Sequence, residues 1–97
     1  MVPAFEFDEA KSAVNMDKHG IDFVEAQRLW ASGELFFAPA RPLKDEIRAA
    51  AIGTLDSKYW VAFFTMRTET IRLISVRRAR VKEIEYYESF RTRQNLR

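Results

Sequence analysis

The stretch that decides the fold is residues 46–78, which read EIRAAAIGTLDSKYWVAFFTMRTETIRLISVRR. Two turn signals, Asp56-Ser57 and Thr68-Glu69, divide it into three segments with a strand-like pattern. The second and third segments are largely apolar at consecutive positions, so we expect strands that are covered on both faces. The predicted strands are Glu46–Leu55, Lys58–Met66 and Thr70–Val76.

A helix is predicted upstream of these strands, between Asp8 and Gly20. Asp8 is a good N-cap for a helix from Glu9 to about Lys18, and Gly20 can end it in the left-handed conformation. The apolar residues that share one face of this helix are Ala10, Ala13 and Val14. We expect this face to be the buried one.

The remaining segments complete an α+β domain. The capping pattern Asp22-Phe23-Val24-Glu25 begins a second helix that runs to about Ala31, and apolar residues at helical spacing predict a last helix from about Arg80 to Arg93. Further strands are expected at residues 5–7 and 35–38. The predicted order is βααββββα in a single domain over residues 1–97, with an antiparallel sheet and the helices outside it.

The composition excludes several classes of function. There is no cysteine, which rules out disulfides, thiolate zinc sites and cysteine nucleophiles. The three glycines are isolated and the carboxylates follow no metal-binding pattern, so we expect no metal and no cofactor. Neither a signal peptide nor an apolar run of the roughly 20 residues that cross a membrane is visible. We therefore expect a cytoplasmic protein.

Positive charge is concentrated at one end of the chain. The net charge is +2, but residues 67–97 contain 9 Lys and Arg against 4 Asp and Glu, and all but Lys82 of those nine are arginines. The planar guanidinium group suits bidentate contact with phosphate. This distribution points to a polyanion such as RNA, although a solvated basic helix or salt bridges to nearby glutamates would also account for it.

A ribonuclease without a metal must take the proton of the ribose 2′-OH, stabilise the charge on the phosphorane and protonate the departing 5′-oxygen. Arginines held in place can perform the second task. Five arginines lie on and just after the last predicted strands: Arg67, Arg72, Arg77, Arg78 and Arg80. We expect Arg67 and Arg77 to stabilise the phosphate, and Arg72 and Arg78 to bind RNA.

Two further residues are candidates for proton transfer. His19 is the only histidine, and it follows Lys18, a candidate RNA-binding residue, at the end of a predicted helix. Tyr87 lies on the last helix. Each has an ordinary explanation too, because cations are favoured at a helix C-terminus and a tyrosine in register with Val81 and Ile84 is commonly a core residue.

Three blocks of this sequence, within residues 5–88, resemble the BrnT-like family of toxins. The matching residues are Phe7-Asp8, Lys11, Asn15 and Lys18-His19-Gly20-Ile21 in the first block, Glu46-x-Arg48 and Ile52-Gly53 in the second, and Arg67, Ile71-Arg72-Leu73-Ile74-Ser75, Arg77-Arg78-Ala79, Glu83 and Tyr87-Glu88 in the third. Phe7, where tryptophan is common, and Phe64, where histidine is frequent, depart from the pattern. The arginines match it.

The resemblance implies a RelE-like fold and a metal-independent endoribonuclease that cleaves RNA and arrests translation. It also implies a BrnA-type antitoxin with a ribbon-helix-helix region, through which alone the toxin would contact operator DNA. The alternative is a non-catalytic module that binds the antitoxin or RNA. Growth arrest that disappears when Arg77 is substituted would favour catalysis.

The register of the last hairpin decides whether Arg67 and Arg77 can share a face of the sheet. A regular hairpin with a two-residue turn at Thr68-Glu69 would put them on opposite faces. Arg67 would then share its face with Arg78 instead. A three-residue turn or a β-bulge would bring Arg67 and Arg77 together. The turn contains no Gly or Asn, which favours a longer loop. We expect an odd-length turn or a bulge.

Overall fold

The computed structural model describes residues 3–43 and 46–95, in which a five-stranded sheet carries helices on both faces. The elements are β1 (Ala4–Glu6), α1 (Glu9–His19), α2 (Phe23–Ala26), α3 (Arg28–Ala31), β2 (Phe36–Leu43), β3 (Glu46–Leu55), β4 (Lys58–Arg67), β5 (Thr70–Arg78) and α4 (Val81–Asn95). The predicted α+β class and order of elements are confirmed, except that the second helix is two short helices that meet at Gln27.

The sheet is mixed, so the prediction of an antiparallel sheet is wrong at one edge. Its strand order is β1-β5-β4-β3-β2, and the strands β2 to β5 are antiparallel to their neighbours. β1 pairs in parallel with β5, with Ala4 opposite Thr70. A three-residue strand carries too little pattern to specify its direction, and the chain reaches β5 only after the helices and three further strands.

The caps of α1 are as predicted, but its buried face is not. Asp8 accepts a hydrogen bond from the backbone N–H of Lys11, and Gly20 ends the helix with a φ of 77°. Ala10, Ala13 and Val14 are exposed, whereas the buried residues are Ser12 and Asn15. The predicted apolar face therefore points to solvent, because two polar side chains make the inward contacts.

Both faces of the central strands are covered, as their apolar pattern predicts. One cluster lies between the sheet and α1–α3 and includes Phe23, Leu29 and Leu73. The other lies between the sheet and α4 and includes Val61 and Tyr87. In the part of the chain that the structure describes, no helix is long and apolar enough to cross a membrane.

Candidate functional site

A β-bulge in β5 decides which arginines share a face. The turn has two residues, with Arg67 opposite Thr70, and Thr68 adopts a positive φ of 53° to make it. Farther along, Phe63 pairs with Ser75 and Phe64 with Leu73, so Ile74 is an extra residue in β5. The bulge reverses the alternation and sets Arg77 opposite Val61. Arg67 and Arg77 therefore lie on the same face, as predicted.

We call this side of the sheet the arginine face. Its arginines are Arg48 from β3, Arg67 from β4, and Arg72 and Arg77 from β5. Arg72 pairs with Thr65, and Arg48 falls beside Thr65 because the next residue, Ala49, pairs with Phe64. α4 covers the neighbouring part of the same face through the buried Tyr87. The four arginines lie on the part of this face next to α4, where Arg67 is half exposed and Arg48 and Arg77 are mostly buried.

The arginines are spread along β4 rather than gathered around one point. Arg67 and Val61, the strand partner of Arg77, are six residues apart, which corresponds to about 20 Å of strand. Each of the two is bound to a different carboxylate, Arg67 to Glu46 and Arg77 to Glu83. The shared face is confirmed, and the action of both arginines on one phosphate stays a prediction.

Arg77 is the most firmly held of the four arginines. Its two Nη atoms donate to the two carboxylate oxygens of Glu83, each at 2.8 Å, and its guanidinium lies 5.2 Å from the centre of the Phe63 ring. Glu83 also accepts from the backbone N–H of Arg80 at 2.7 Å. Such a bidentate pair fixes the guanidinium in both position and orientation.

This pair also sets the charge state of its members. The hydrogen bond from Arg77 holds the pKa of Glu83 below its usual range, and the same bond raises the pKa of Arg77. Glu83 is therefore ionised at neutral pH and acts as a positioning residue rather than a proton carrier. Because its pKa is lowered on folding, the pair stabilises the fold at neutral pH, and this contribution is lost as the pH falls through the lowered pKa.

Arg67 and Arg72 are paired more loosely. Arg67 donates to Glu46 at 3.1 Å, and Arg72 donates to Glu6 at 2.8 Å. Half of the Arg67 side chain is exposed. The Arg67–Glu46 pair is exposed, and such pairs contribute about 0–1 kcal/mol, so a phosphate can compete for this guanidinium group. The Arg72–Glu6 pair is partly buried and has a single hydrogen bond.

Lys18 and His19 lie at the border of the arginine face. They line a cleft of about 290 Å³ between α1 and the bulge, together with Ile74 and Ser75. Ser75 belongs to the arginine face, since it pairs with Phe63. The structure therefore sets the histidine beside the edge of this surface, next to the strand that carries Arg72 and Arg77.

Two of the predicted site residues lie elsewhere. Tyr87 is 1% exposed, and its hydroxyl donates to the backbone carbonyl of Glu34 at 3.1 Å, which leaves no access for RNA. Arg78 pairs with Trp60 and is on the opposite face, where its guanidinium lies 5.5 Å from the Trp60 ring. Arg78 is therefore not on the arginine face, and Tyr87 packs beneath α4 against the covered part of that face, where the core explanation fits its position.

Sequence reasoning does not single out Phe63, and it gives no role at this site to Glu46 and Arg48 beyond their match to the family pattern. Glu83 is among the nearby glutamates that it allows as salt-bridge partners of the arginines. Glu46 and Arg48 are two residues apart on one strand, so the sequence predicts that they share a face. It does not predict that Arg77 lies on that same face, because this depends on the bulge. The i,i+3 spacing of Arg80 and Glu83 suggests a capping role, and Glu83 does accept the Arg80 backbone N–H. Its bond to Arg77 depends on the tertiary fold.

The described residues hold no group of three or more His, Cys, Asp or Glu side chains that could bind a metal ion. In comparisons with known proteins, residues 7–83 match the family model described as the ribonuclease toxin, BrnT, of type II toxin–antitoxin systems. No curated protein matches the chain.

Proposed function

Because this chain belongs to the BrnT family of ribonuclease toxins of type II toxin–antitoxin systems, we propose that it cleaves RNA internally without a metal ion and thereby arrests translation in the cytoplasm. The observation that carries this proposal is the alignment of four arginines on one face of the sheet, beside α4. A RelE-like fold is part of the same proposal, supported by the helices that precede four successive antiparallel strands and by the helix that follows them.

Arg77 is the residue that we assign to the scissile phosphate. In the proposed reaction the ribose 2′-OH gives up its proton to a water molecule as its oxygen forms a bond to phosphorus, and the bond from phosphorus to the 5′-oxygen breaks as that oxygen takes up a proton. Negative charge develops on the non-bridging oxygens, and a guanidinium held by Glu83 is in place to stabilise it without reorganisation. Phe63, under the same guanidinium, offers an aromatic surface for an unpaired base.

His19 is the residue that we assign to proton transfer. Its cleft adjoins the arginine face at Ser75, and an imidazole ring can act as a general acid. We propose that it protonates the departing 5′-oxygen. Lys18 in the same cleft, with Arg67 and Arg72 on the sheet, would bind the neighbouring phosphates of the chain.

We expect cleavage to continue in excess EDTA, because fixed guanidinium groups supply the positive charge that a metal would otherwise provide. The fragments should end in 2′,3′-cyclic phosphate and 5′-hydroxyl. The measurement is gel analysis of a mixed-sequence RNA with mass spectrometry of the ends, and the Arg77→Ala protein prepared in parallel controls for contaminating nucleases. Activity that stops in EDTA and returns with magnesium would overturn this mechanism.

The antitoxin partner that the family implies is proposed to be of the BrnA type, with a ribbon-helix-helix region that binds operator DNA. We propose that an acidic segment of it covers the arginine face. The carboxylates of Glu6, Glu46 and Glu83 already occupy guanidinium groups there, so carboxylates of a partner would fit the same donors. Residues 67–97, with their excess of arginine, would steer such a segment to this side of the protein.

We expect the antitoxin to block cleavage and to protect β5 and α4 from hydrogen exchange in the complex. Its association rate should fall as the salt concentration rises, because charge steering is screened. Hydrogen–deuterium exchange of free and bound toxin provides the map. Protection or crosslinks confined to residues 1–43 would contradict this arrangement.

A further inference from the structure

Arg48 differs from the other arginines of the arginine face in having no hydrogen-bonded carboxylate among the described residues. Its side chain is 23% exposed, and its Nε is buried without a hydrogen-bond partner. The nearest carboxylate oxygen, Oε1 of Glu46, is 3.7 Å from this Nε, which is too long for a hydrogen bond. Arg67, Arg72 and Arg77 each donate to a carboxylate at 3.1 Å or less.

An arginine side chain that is mostly buried, with an unpartnered Nε donor, favours an anionic ligand. Removing a charged donor from water costs free energy unless a partner replaces the lost hydrogen bonds. Arg48 lines an open cavity of about 680 Å³ together with Thr65, Arg67 and Glu46. Two arginines thus border one space that a phosphate can enter, and Glu46 lies within reach of both. The hydroxyl of Thr65 is already used, since it donates to the backbone carbonyl of Ile47 at 2.7 Å.

This cavity is separate from the surroundings of Arg77. Thr65, beside Arg48, and Val61, beside Arg77, are four residues apart on β4, or about 13 Å. Arg77 does not line this cavity, and its guanidinium is held by Glu83 instead. Phe63 lies on the same face between these two positions, with the Arg77 guanidinium over its ring.

We propose that Arg48 binds a non-scissile phosphate of single-stranded RNA, at the outer end of a track that runs along β4 from Arg77 past Phe63. This proposal rests on the proposed function, since it extends the same RNA-binding surface. Arg48 is here a substrate-binding residue, and its removal is expected to weaken binding while leaving the chemical step at Arg77 nearly unchanged.

The test is the salt dependence of binding, measured with the full chain by fluorescence anisotropy on a labelled, mixed-sequence 2′-O-methyl RNA octamer, which cannot be cleaved through a 2′-OH. At low salt, Arg48→Gln should weaken binding about tenfold. The slope of log affinity against log salt should become about 0.7 smaller in magnitude, as expected for one lost phosphate contact with a single strand. Arg48→Lys should keep most of the slope.

Lys58→Gln is the matched control. It removes one positive charge at the far end of the β3–β4 hairpin, so it should leave the slope unchanged. Thermal unfolding verifies that each variant is folded. Equal slopes for wild type, Arg48→Gln and Lys58→Gln would overturn the assignment of Arg48.

Cleavage of the unmodified octamer separates this inference from the proposed function. A raised KM with nearly constant kcat in Arg48→Gln supports the assignment. A wild-type protein that binds the octamer but does not cut RNA contradicts the ribonuclease proposal, and the slopes still decide the role of Arg48. If wild type cuts RNA and Arg48→Gln has the same KM, Arg48 is not part of the track.

Discussion

Replacing Arg77 with alanine is expected to reduce kcat for RNA cleavage by about 10²–10³-fold, the loss typical of removing one fixed donor to a developing oxyanion. Arg77 is the arginine whose guanidinium is held by two hydrogen bonds to one carboxylate and by the Phe63 ring. KM should change less, because the remaining arginines still contact the chain. Single-turnover cleavage of a mixed-sequence RNA measures the effect.

Arg78→Ala is the matched control for this variant. It removes the same side chain from the next residue, but on the opposite face of the sheet, so we expect less than about a threefold change in kcat. Glu83→Gln should fall between the two, since it keeps the charge of Arg77 and removes the carboxylate that orients it. Thermal unfolding of all three proteins shows whether the loss of the ion pair has affected the fold.

The comparison of Arg77→Ala with Arg67→Ala decides where the scissile phosphate lies. Their positions are about 20 Å apart along β4, so the two substitutions test two ends of the arginine face. If Arg67→Ala abolishes cleavage and Arg77→Ala retains most of it, the chemical step occurs at the Arg67 end of the arginine face. The assignment of Arg77 to the scissile phosphate then fails.

β3, β4 and β5 could be predicted from sequence because their turn signals and apolar pattern are local properties. β2 was not bounded correctly, since it continues past the predicted end at Ala38 to Leu43. The bulge at Ile74 could not be located from the sequence. Leu73 and Ile74 are both apolar, so the pattern does not show which of the two side chains points into the core. The sequence predicts only that the strand register shifts by one residue, through an odd-length turn or a bulge, so that Arg67 and Arg77 share a face. The turn residue Thr68 accepts a positive φ, so the shift arises within the strand rather than in the loop.

The burial of α1 could not be predicted from apolar periodicity. Its inward side chains are polar because they replace missing backbone partners. Ser12 accepts a hydrogen bond from the backbone N–H of Phe23 at 2.9 Å, and Asn15 bonds to two separate segments of backbone. Apolar residues such as Val14 are left half exposed. A pattern based on hydrophobicity assigns such a helix to the wrong face.

Asn15 occupies the place of a missing neighbour strand. β1 pairs with β5 only from Thr70 to Arg72. Beyond Arg72, β1 no longer supplies hydrogen-bond partners to the outer edge of β5. At Val76, the Asn15 side chain accepts from the backbone N–H at 3.1 Å and donates to the carbonyl at 2.9 Å. It also donates to the carbonyl of Ile21 at 2.8 Å. One amide thus ties α1 and the chain after it to the end of β5, next to Arg77.

Replacing Asn15 with leucine is therefore expected to lower the free energy of unfolding by about 3 kcal/mol. The substitution leaves the N–H and carbonyl of Val76 and the carbonyl of Ile21 without this partner in a buried place, and each such group costs about 1–3 kcal/mol. For a domain of this size, that loss corresponds to a fall in Tm of about 12–24 °C. Thermal unfolding followed by circular dichroism measures it.

Asp17→Leu provides the control for Asn15→Leu, because it introduces the same side chain at an exposed position of α1 and should change stability by no more than about 0.5 kcal/mol. Asn15→Asp tests the donor role separately. Its carboxylate can still accept from the Val76 N–H, but it faces the carbonyls of Ile21 and Val76 with no hydrogen to donate, so we expect a loss at least as large as that of the leucine variant. A Tm for Asn15→Leu close to that of Asp17→Leu would show that α1 is held to β5 by packing rather than by this amide.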